Sequence, residues 1–148
     1  LVKAVDLAEL AVKKGDQAFG SMFVSEAGLI LFERHNEGSS GDYTRRAKFA
    51  IGRWATNNFS KADCVKATVY TSVEHCPMCA VVHGWGSLGR IVYVSSSKQF
   101  QAWSKEFGRK GGPLKALPIK EVSNNRIVEG PVDDLAIRVK GLHQKVFN

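Results

Sequence analysis

Thr71-Ser72-Val73-Glu74-His75-Cys76-Pro77-Met78-Cys79-Ala80 is the stretch on which the fold turns. An extended run, Ala67-Thr68-Val69-Tyr70, leads into it, and a helix-like run starts at Pro77. Proline suits the first helical position because the N–H it lacks would have no intrahelical partner there. Cys76 and Cys79 straddle that start. Residues three apart share one face of a helix, so both sulfurs can reach one point. Unpaired backbone N–H groups and the positive end of the helix dipole favour thiolates there. Two convergent thiolates are half of a tetrahedral zinc site. C-x-x-C by itself is also shared by redox motifs and zinc ribbons.

On the N-terminal side, Val2, Val5, Leu7-Ala8 and Ala11-Val12 recur at helical spacing as far as Gly15-Asp16. Met22-Phe23-Val24 and Leu29-Ile30-Leu31-Phe32 flank the turn signal Glu26-Ala27-Gly28 and predict a β-hairpin. The polar run 36–42 predicts a loop. Beyond it Ala47, Ala50-Ile51 and Trp54-Ala55 keep a helical period, with Asp42 or Thr44 as the expected cap. Residues 60–66 read as a connection and 67–72 as the third strand. The helix from Pro77 runs to about Trp85, and Arg90-Ile91-Val92-Tyr93-Val94 is the fourth strand. A helix over about 98–107 carries Phe100, Trp103 and Phe107, and 110–113 is a loop. Residues 117–122 predict a short fifth strand, at an edge because Pro118 cannot donate to a ladder. Asp133-Asp134 is expected to cap a last helix with Leu135, Val139 and Leu142 on one face. Strands joined by a tight turn pair antiparallel, and strands joined through helices run parallel. The predicted class is α/β: a three-layer α/β/α sandwich around a five-stranded mixed sheet, one domain over residues 1–148.

Composition bounds the function. A chain of 148 residues with 44% hydrophobic content builds a single core. No apolar run approaches the ~18 residues that cross a bilayer, so no membrane partner is expected. The opening Leu1-Val2-Lys3-Ala4-Val5-Asp6 mixes charge with apolar residues, unlike a secretory leader. Three cysteines, two of them in C-x-x-C, point to a reducing, cytoplasmic setting and to metal or redox use. Cys64, in the connection, is expected to be a structural thiol. The net charge of +7 suits a solvated surface or a polyanion such as RNA, but the basic residues are spread along the chain.

Residues 71–94, T-S-V-E-H-C-P-M-C-A-V-V-H-G-W-G-S-L-G-R-I-V-Y-V, resemble the zinc motif of the cytidine deaminase-like superfamily. They are most similar to its guanine deaminase, nucleoside deaminase and tRNA adenosine deaminase branch, where T-x-E-P-C-x-M-C-A leads to a G-R-x-V-Y strand. Ala18-Phe19-Gly20 stands where P-F-G is usual, and His35-Asn36 where H-N-x is usual. The resemblance implies a zinc cofactor, hydrolytic deamination of a purine or related nucleobase or nucleoside, and a homodimer. In that family one His or Cys joins the two thiolates on zinc, and a metal-bound water takes the fourth place. A Glu two residues after the His moves the protons. The resemblance thus implies Cys76 and Cys79 as metal ligands and Asn36 as a group that hydrogen-bonds the base. It also offers Phe19 for stacking, Trp85 as a pocket wall and Glu74 for substrate. The residue types equally allow a turn for Asn36, a staple for Phe19, a helix cap for Glu74 and core packing for Trp85.

One part of the pattern is different. Asp42-Tyr43-Thr44-Arg45-Arg46-Ala47-Lys48 stands where D-P-T-x-H-x-E is usual. Arg46 therefore occupies the slot of the His ligand and Lys48 that of the catalytic Glu. A guanidinium has no lone pair for a metal, and an ammonium beside a dication is no base. His35-Asn36-Glu37 spells H-x-E but lies at the end of a strand, too far upstream of Cys76. His75 reaches a metal held by Cys76 only with a bent backbone, and His83, one helical turn past Cys79, packs or faces solvent. The expectation is a deaminase-family protein with impaired catalysis. The alternative is a non-catalytic member of the fold that binds a base, an RNA or a partner subunit.

Overall fold

The structure, a computed structural model, describes residues 1–37, 42, 44–110, 113–124 and 127–147, the Phe147 side chain excepted. The chain runs α1 (Val2–Lys13), β1 (Gly20–Val24), β2 (Ile30–His35), α2 (Ala47–Asn58), α3 (Lys61–Lys66), β3 (Thr68–Val73) and α4 (Pro77–Trp85). It continues with β4 (Arg90–Ser95), α5 (Ser97–Glu106), α6 (Ile119–Val122), β5 (Ile127–Glu129) and α7 (Asp133–Phe147). Residues 38–41 of the predicted loop, and Gly111-Gly112 of the later one, lie outside the described residues.

The strands form one mixed sheet in the order β2-β1-β3-β4-β5. β1 pairs antiparallel with β2 and β3; β3, β4 and β5 are parallel. Apolar side chains leave the sheet on both faces. Phe23, Ile51, Ala55, Val69, Ile91 and Ile119 pack on the face covered by α2, α3, α4 and α6. Val5, Ala8, Phe19, Val94, Val139 and Leu142 pack on the face covered by α1 and α7. Ile91 and Val94 show the reason: an odd separation along a strand sends side chains to opposite faces. On the second face Arg138 of α7 bonds both Asp6 and Glu9 of α1. The three-layer sandwich with a five-stranded mixed sheet is the architecture expected.

Four local expectations are corrected. Residues 60–66 hold a helix: Ser60 Oγ accepts the Asp63 N–H at 3.2 Å and caps α3. The segment 117–122 is no strand, for Pro118 is the N-cap of α6 and the fifth strand is Ile127–Glu129. Ile119 and Val122, three apart, then pack together on the core, which a strand would not allow. Neither Asp42 nor Thr44 caps α2. Asp42 Oδ1 is engaged by the N–H and hydroxyl of Thr44, and the N-cap position falls on Arg46. The last helix begins at Asp133, so Asp133 and Asp134 sit in its first turn, favourable to the dipole.

Two features position α2, which builds the site together with α4. Gly52 faces α4, where a Cβ would meet Val82 Cγ1 and approach His83 Cδ2 to 3.1 Å. The absent side chain lets the helices close on each other. Trp54 then stacks on Phe32 of β2 with ring centroids 4.8 Å apart, which holds α2 on the sheet.

Candidate active site

β3 ends at Val73, and the chain passes through Glu74 and His75 to Cys76, the extended N-cap of α4, with Pro77 beginning the helix. Cys76 is partly exposed and Cys79 buried, their sulfurs 3.4 Å apart. Hydrogen bonds shared with the Cys79 side chain and backbone, with the nearby Lys48 and Arg46, bring the Cys76 thiol down to about 5 against the cost of burial. The same shared proton, with burial and the Cys76 charge, pushes Cys79 well above the usual thiol range.

The opposite wall comes from the start of α2. Asn36 Oδ1 accepts the Ala47 N–H at 3.0 Å, while the Asn36 N–H donates to the Phe19 carbonyl at 3.1 Å. That pair fixes Arg46 at the helix start and Lys48 in its first turn. Lys48 is 4% exposed. Burial pushes its ammonium pKa down; Cys79, Cys76 and Glu74 oppose the fall, and Arg46 adds to it. The Phe19 ring lies 5.1 Å from Lys48 Nζ and 5.9 Å from Arg46 Cζ. Phe19 also packs against Phe100 and His143, and it is itself buried.

Behind the thiols, His75 Nε2 and His83 Nδ1 are 2.9 Å apart, and His83 Nε2 meets the Lys48 carbonyl. Burial, then His83 and Lys48, push His75 well below the usual imidazole range. A carbonyl only accepts, so His83 carries its proton on Nε2 and its Nδ1 accepts from His75. His75 Nδ1 keeps a lone pair that finds no hydrogen-bond partner among the described residues. The two imidazoles tie α4 to the backbone of α2.

Cys76, Cys79, Arg46, Lys48, Phe19, Asn36 and Glu74 thus come together. Glu74 spends both oxygens on backbone: Oε2 accepts from the Ser97 N–H at 2.7 Å and Oε1 from the Ile119 N–H at 3.0 Å. It tethers the starts of α5 and α6. Trp85 stands apart, 84% exposed at the far end of α4, beside Val81, Tyr70, Arg90 and Ile127. Cys64 is buried in the core, as a structural thiol should be. Sequence reasoning passed over His143, which lies under Phe19 with its Nε2 unpartnered among the described residues. The signal was there: His143 follows Val139 by one helical turn, on the apolar face of the last helix.

Residues 1–95 match the family model of the cytidine and deoxycytidylate deaminase zinc-binding region. The chain belongs to this deaminase family. A probable cytosine deaminase of Schizosaccharomyces pombe is 26% identical over 108 residues, 73% of this chain. The match spans 65% of that relative's length. A guanine deaminase from Nitrosomonas europaea superposes with a TM-score of 0.68 at 13% identity, over 96% of this chain and 81% of its own. A tRNA:A34 deaminase, studied for A-to-I editing at the tRNA wobble position, gives 0.56 at 23% identity, over 63% of this chain and 72% of its own. Those likenesses are of fold.

The deaminase family implies zinc, and the donor set can be tested against it. Among the described residues no group of three His, Cys, Asp or Glu side chains is placed to hold a metal ion. The remaining residues are Gly, Ser, Asn, Tyr and Arg, none of them a usual zinc ligand. Two nitrogens of the nearby imidazoles are committed to each other and a third to the Lys48 carbonyl; the fourth, His75 Nδ1, keeps its lone pair but joins no group of three donors among the described residues. Lys48 and Arg46 act electrostatically on both sulfurs, and neither brings a lone pair of the kind zinc takes from Cys or His. These residues do not fit a catalytic zinc with three protein ligands.

Proposed function

We propose that this chain is a deaminase-family protein whose site is built for a purine or related nucleobase but whose hydrolytic step is disabled. The observation that carries the reading is the buried Lys48 beside Cys76 and Cys79. In the family's pattern Lys48 takes the slot of the carboxylate that carries protons and Arg46 the slot of the ligand that gives a lone pair, and neither side chain is a carboxylate or an imidazole. Loss of a general base alone typically costs ~10²–10⁴ in rate. Loss of the metal-activated water removes the nucleophile as well.

The test is ammonia release from guanine, adenosine, cytosine and cytidine, with calorimetric binding of the same compounds. Binding of a base without ammonia release supports the reading. Turnover above the uncatalysed rate, dependent on zinc, overturns it. Affinity for RNA that falls steeply with salt, without affinity for free bases, moves the reading to nucleic-acid binding.

A homodimer and a cytoplasmic setting belong to the same proposal. Trp85 and Val81, exposed on α4 next to the exposed Ile127, support a dimer through that face. Three cysteines without a disulfide support a reducing setting. Sedimentation of the native chain and of Trp85→Glu tests the first. Among the described residues no helix is long and apolar enough to cross a membrane.

A further inference from the structure

A thiol pair without a third metal donor has a chemistry of its own. We propose that Cys76 and Cys79 form a reversible disulfide within the chain, with Cys76 as the attacking thiol and a small-molecule disulfide such as glutathione disulfide as the oxidant. The inference rests on the reading that the site holds no catalytic zinc.

Two features of the geometry carry it. The sulfurs are already 3.4 Å apart, so closing to the ~2.0 Å of a disulfide is a matter of small side-chain movements. The two thiols differ in access: Cys76 is partly exposed and Cys79 buried. An external disulfide meets Cys76 first, and Cys79 is left to resolve the mixed disulfide from behind. Cys64 has none of these features. It is buried in the core, with its sulfur 3.8 Å from the Ala55 carbonyl oxygen.

The exchange balances. The Cys76 thiolate attacks one sulfur of glutathione disulfide, the S–S bond breaks, and one glutathione leaves as thiolate and takes up the Cys76 proton from solvent. The Cys79 thiolate then attacks Cys76 Sγ and expels the second glutathione, which takes up the Cys79 proton. Two protein thiols are oxidised by two electrons, and glutathione disulfide is reduced to two thiols. Excess glutathione reverses both steps.

The experiment begins with metal analysis of the purified native chain. One zinc per chain that must be stripped before the thiols react overturns the metal-free reading itself. For metal-free protein, the chain is equilibrated in glutathione buffers, quenched with an alkylating agent and mapped by peptide mass. The expected result is a Cys76–Cys79 disulfide with Cys64 alkylated, opened again by excess glutathione. In Cys79→Ser the reaction stops at a glutathione adduct on Cys76, formed faster than any adduct on Cys64 by about an order of magnitude. Metal-free protein in which Cys76 and Cys79 stay reduced, carry separate stable adducts, or react no faster than Cys64 overturns the disulfide proposal. Those outcomes leave the metal-free reading standing, so the two failures are distinguishable.

Discussion

The side-chain oxygen of Asn36 accepts the backbone N–H of Ala47 across a buried bond of 3.0 Å. The N–H groups of a helix's first turn have no partner within the helix, and the N-cap Arg46 offers none from its own side chain. Asn36, at the end of β2, supplies one from outside. The side chain that resemblance assigns to the base thereby anchors the segment that carries Arg46 and Lys48 to the sheet.

Asn36→Ala should cost ~1–2 kcal/mol of stability, the usual loss for a helix cap, and Asn36→Asp, which keeps the acceptor, much less. Urea midpoints of the three proteins test this. Equal midpoints for Ala and wild type would show that the bond does not hold α2.

Glu74 holds two N–H groups at the starts of α5 and α6, 2.7 and 3.0 Å away. Glu74→Ala leaves both buried donors unpaired, at a cost of ~2–5 kcal/mol, whereas Glu74→Gln keeps one acceptor oxygen and loses about half as much. A ligand role alone predicts no stability difference among the three proteins.

Much of this was legible from the chain. The C-P-M-C-A strand-to-helix turn, the hairpin and the parallel strands behind it rest on local signals: proline at the first helical position, Glu26-Ala27-Gly28, and β-branched runs. Resemblance to the family's pattern set Arg46 and Lys48 in the ligand and base slots; Lys48 is buried, and both side chains act electrostatically on the sulfurs. Apart from α3, what escaped depended on partners or positions that the local sequence does not show. Leu117–Val122 is apolar at positions that suit a strand or one helical turn, and a contact from Glu74, 45 residues earlier, accompanies the helix. The cap of α2 was sought in Asp42 and Thr44, neighbours in sequence, while the acceptor lies 11 residues upstream. Trp85 follows the family's helix position but is exposed, because the helix end carries it away from the thiols. Ser60-x-x-Asp63, the start of α3, was a local signal and was readable.

Gly52→Ala should destabilise the protein by ~1–3 kcal/mol, since the added Cβ meets Val82 and His83 and forces α2 away from α4. A glycine in the middle of an ordinary helix would gain ~1 kcal/mol from the same change. The sign of the shift in thermal midpoint decides between the two.

His143 gives a pH dependence. Burial, with Lys48 and Arg109 adding to it, lowers its pKa from 6.5 to about 3. The unfolded chain takes up this proton below pH 6.5, and the folded chain does not until about pH 3. Its stabilising contribution is complete above pH 6.5 and falls as the pH drops toward 3, by up to about 1.4 kcal/mol per pH unit. His143→Leu should flatten the acid limb of the stability curve by one proton's worth, read from urea midpoints across that range. An unchanged limb would show that His143 stays hydrated in the folded state.

Zinc content of the native chain and of the Arg46→His, Lys48→Glu double variant, both produced with zinc supplied, tests the disabled site most directly. The native chain should carry well under one zinc per protein. The double variant, with a third donor facing Cys76 and Cys79 and an acid beside them, should carry one and release ammonia from a nucleobase. One tightly held zinc in the native chain, with deamination to match, would contradict the reading of Arg46 and Lys48 on which everything else rests.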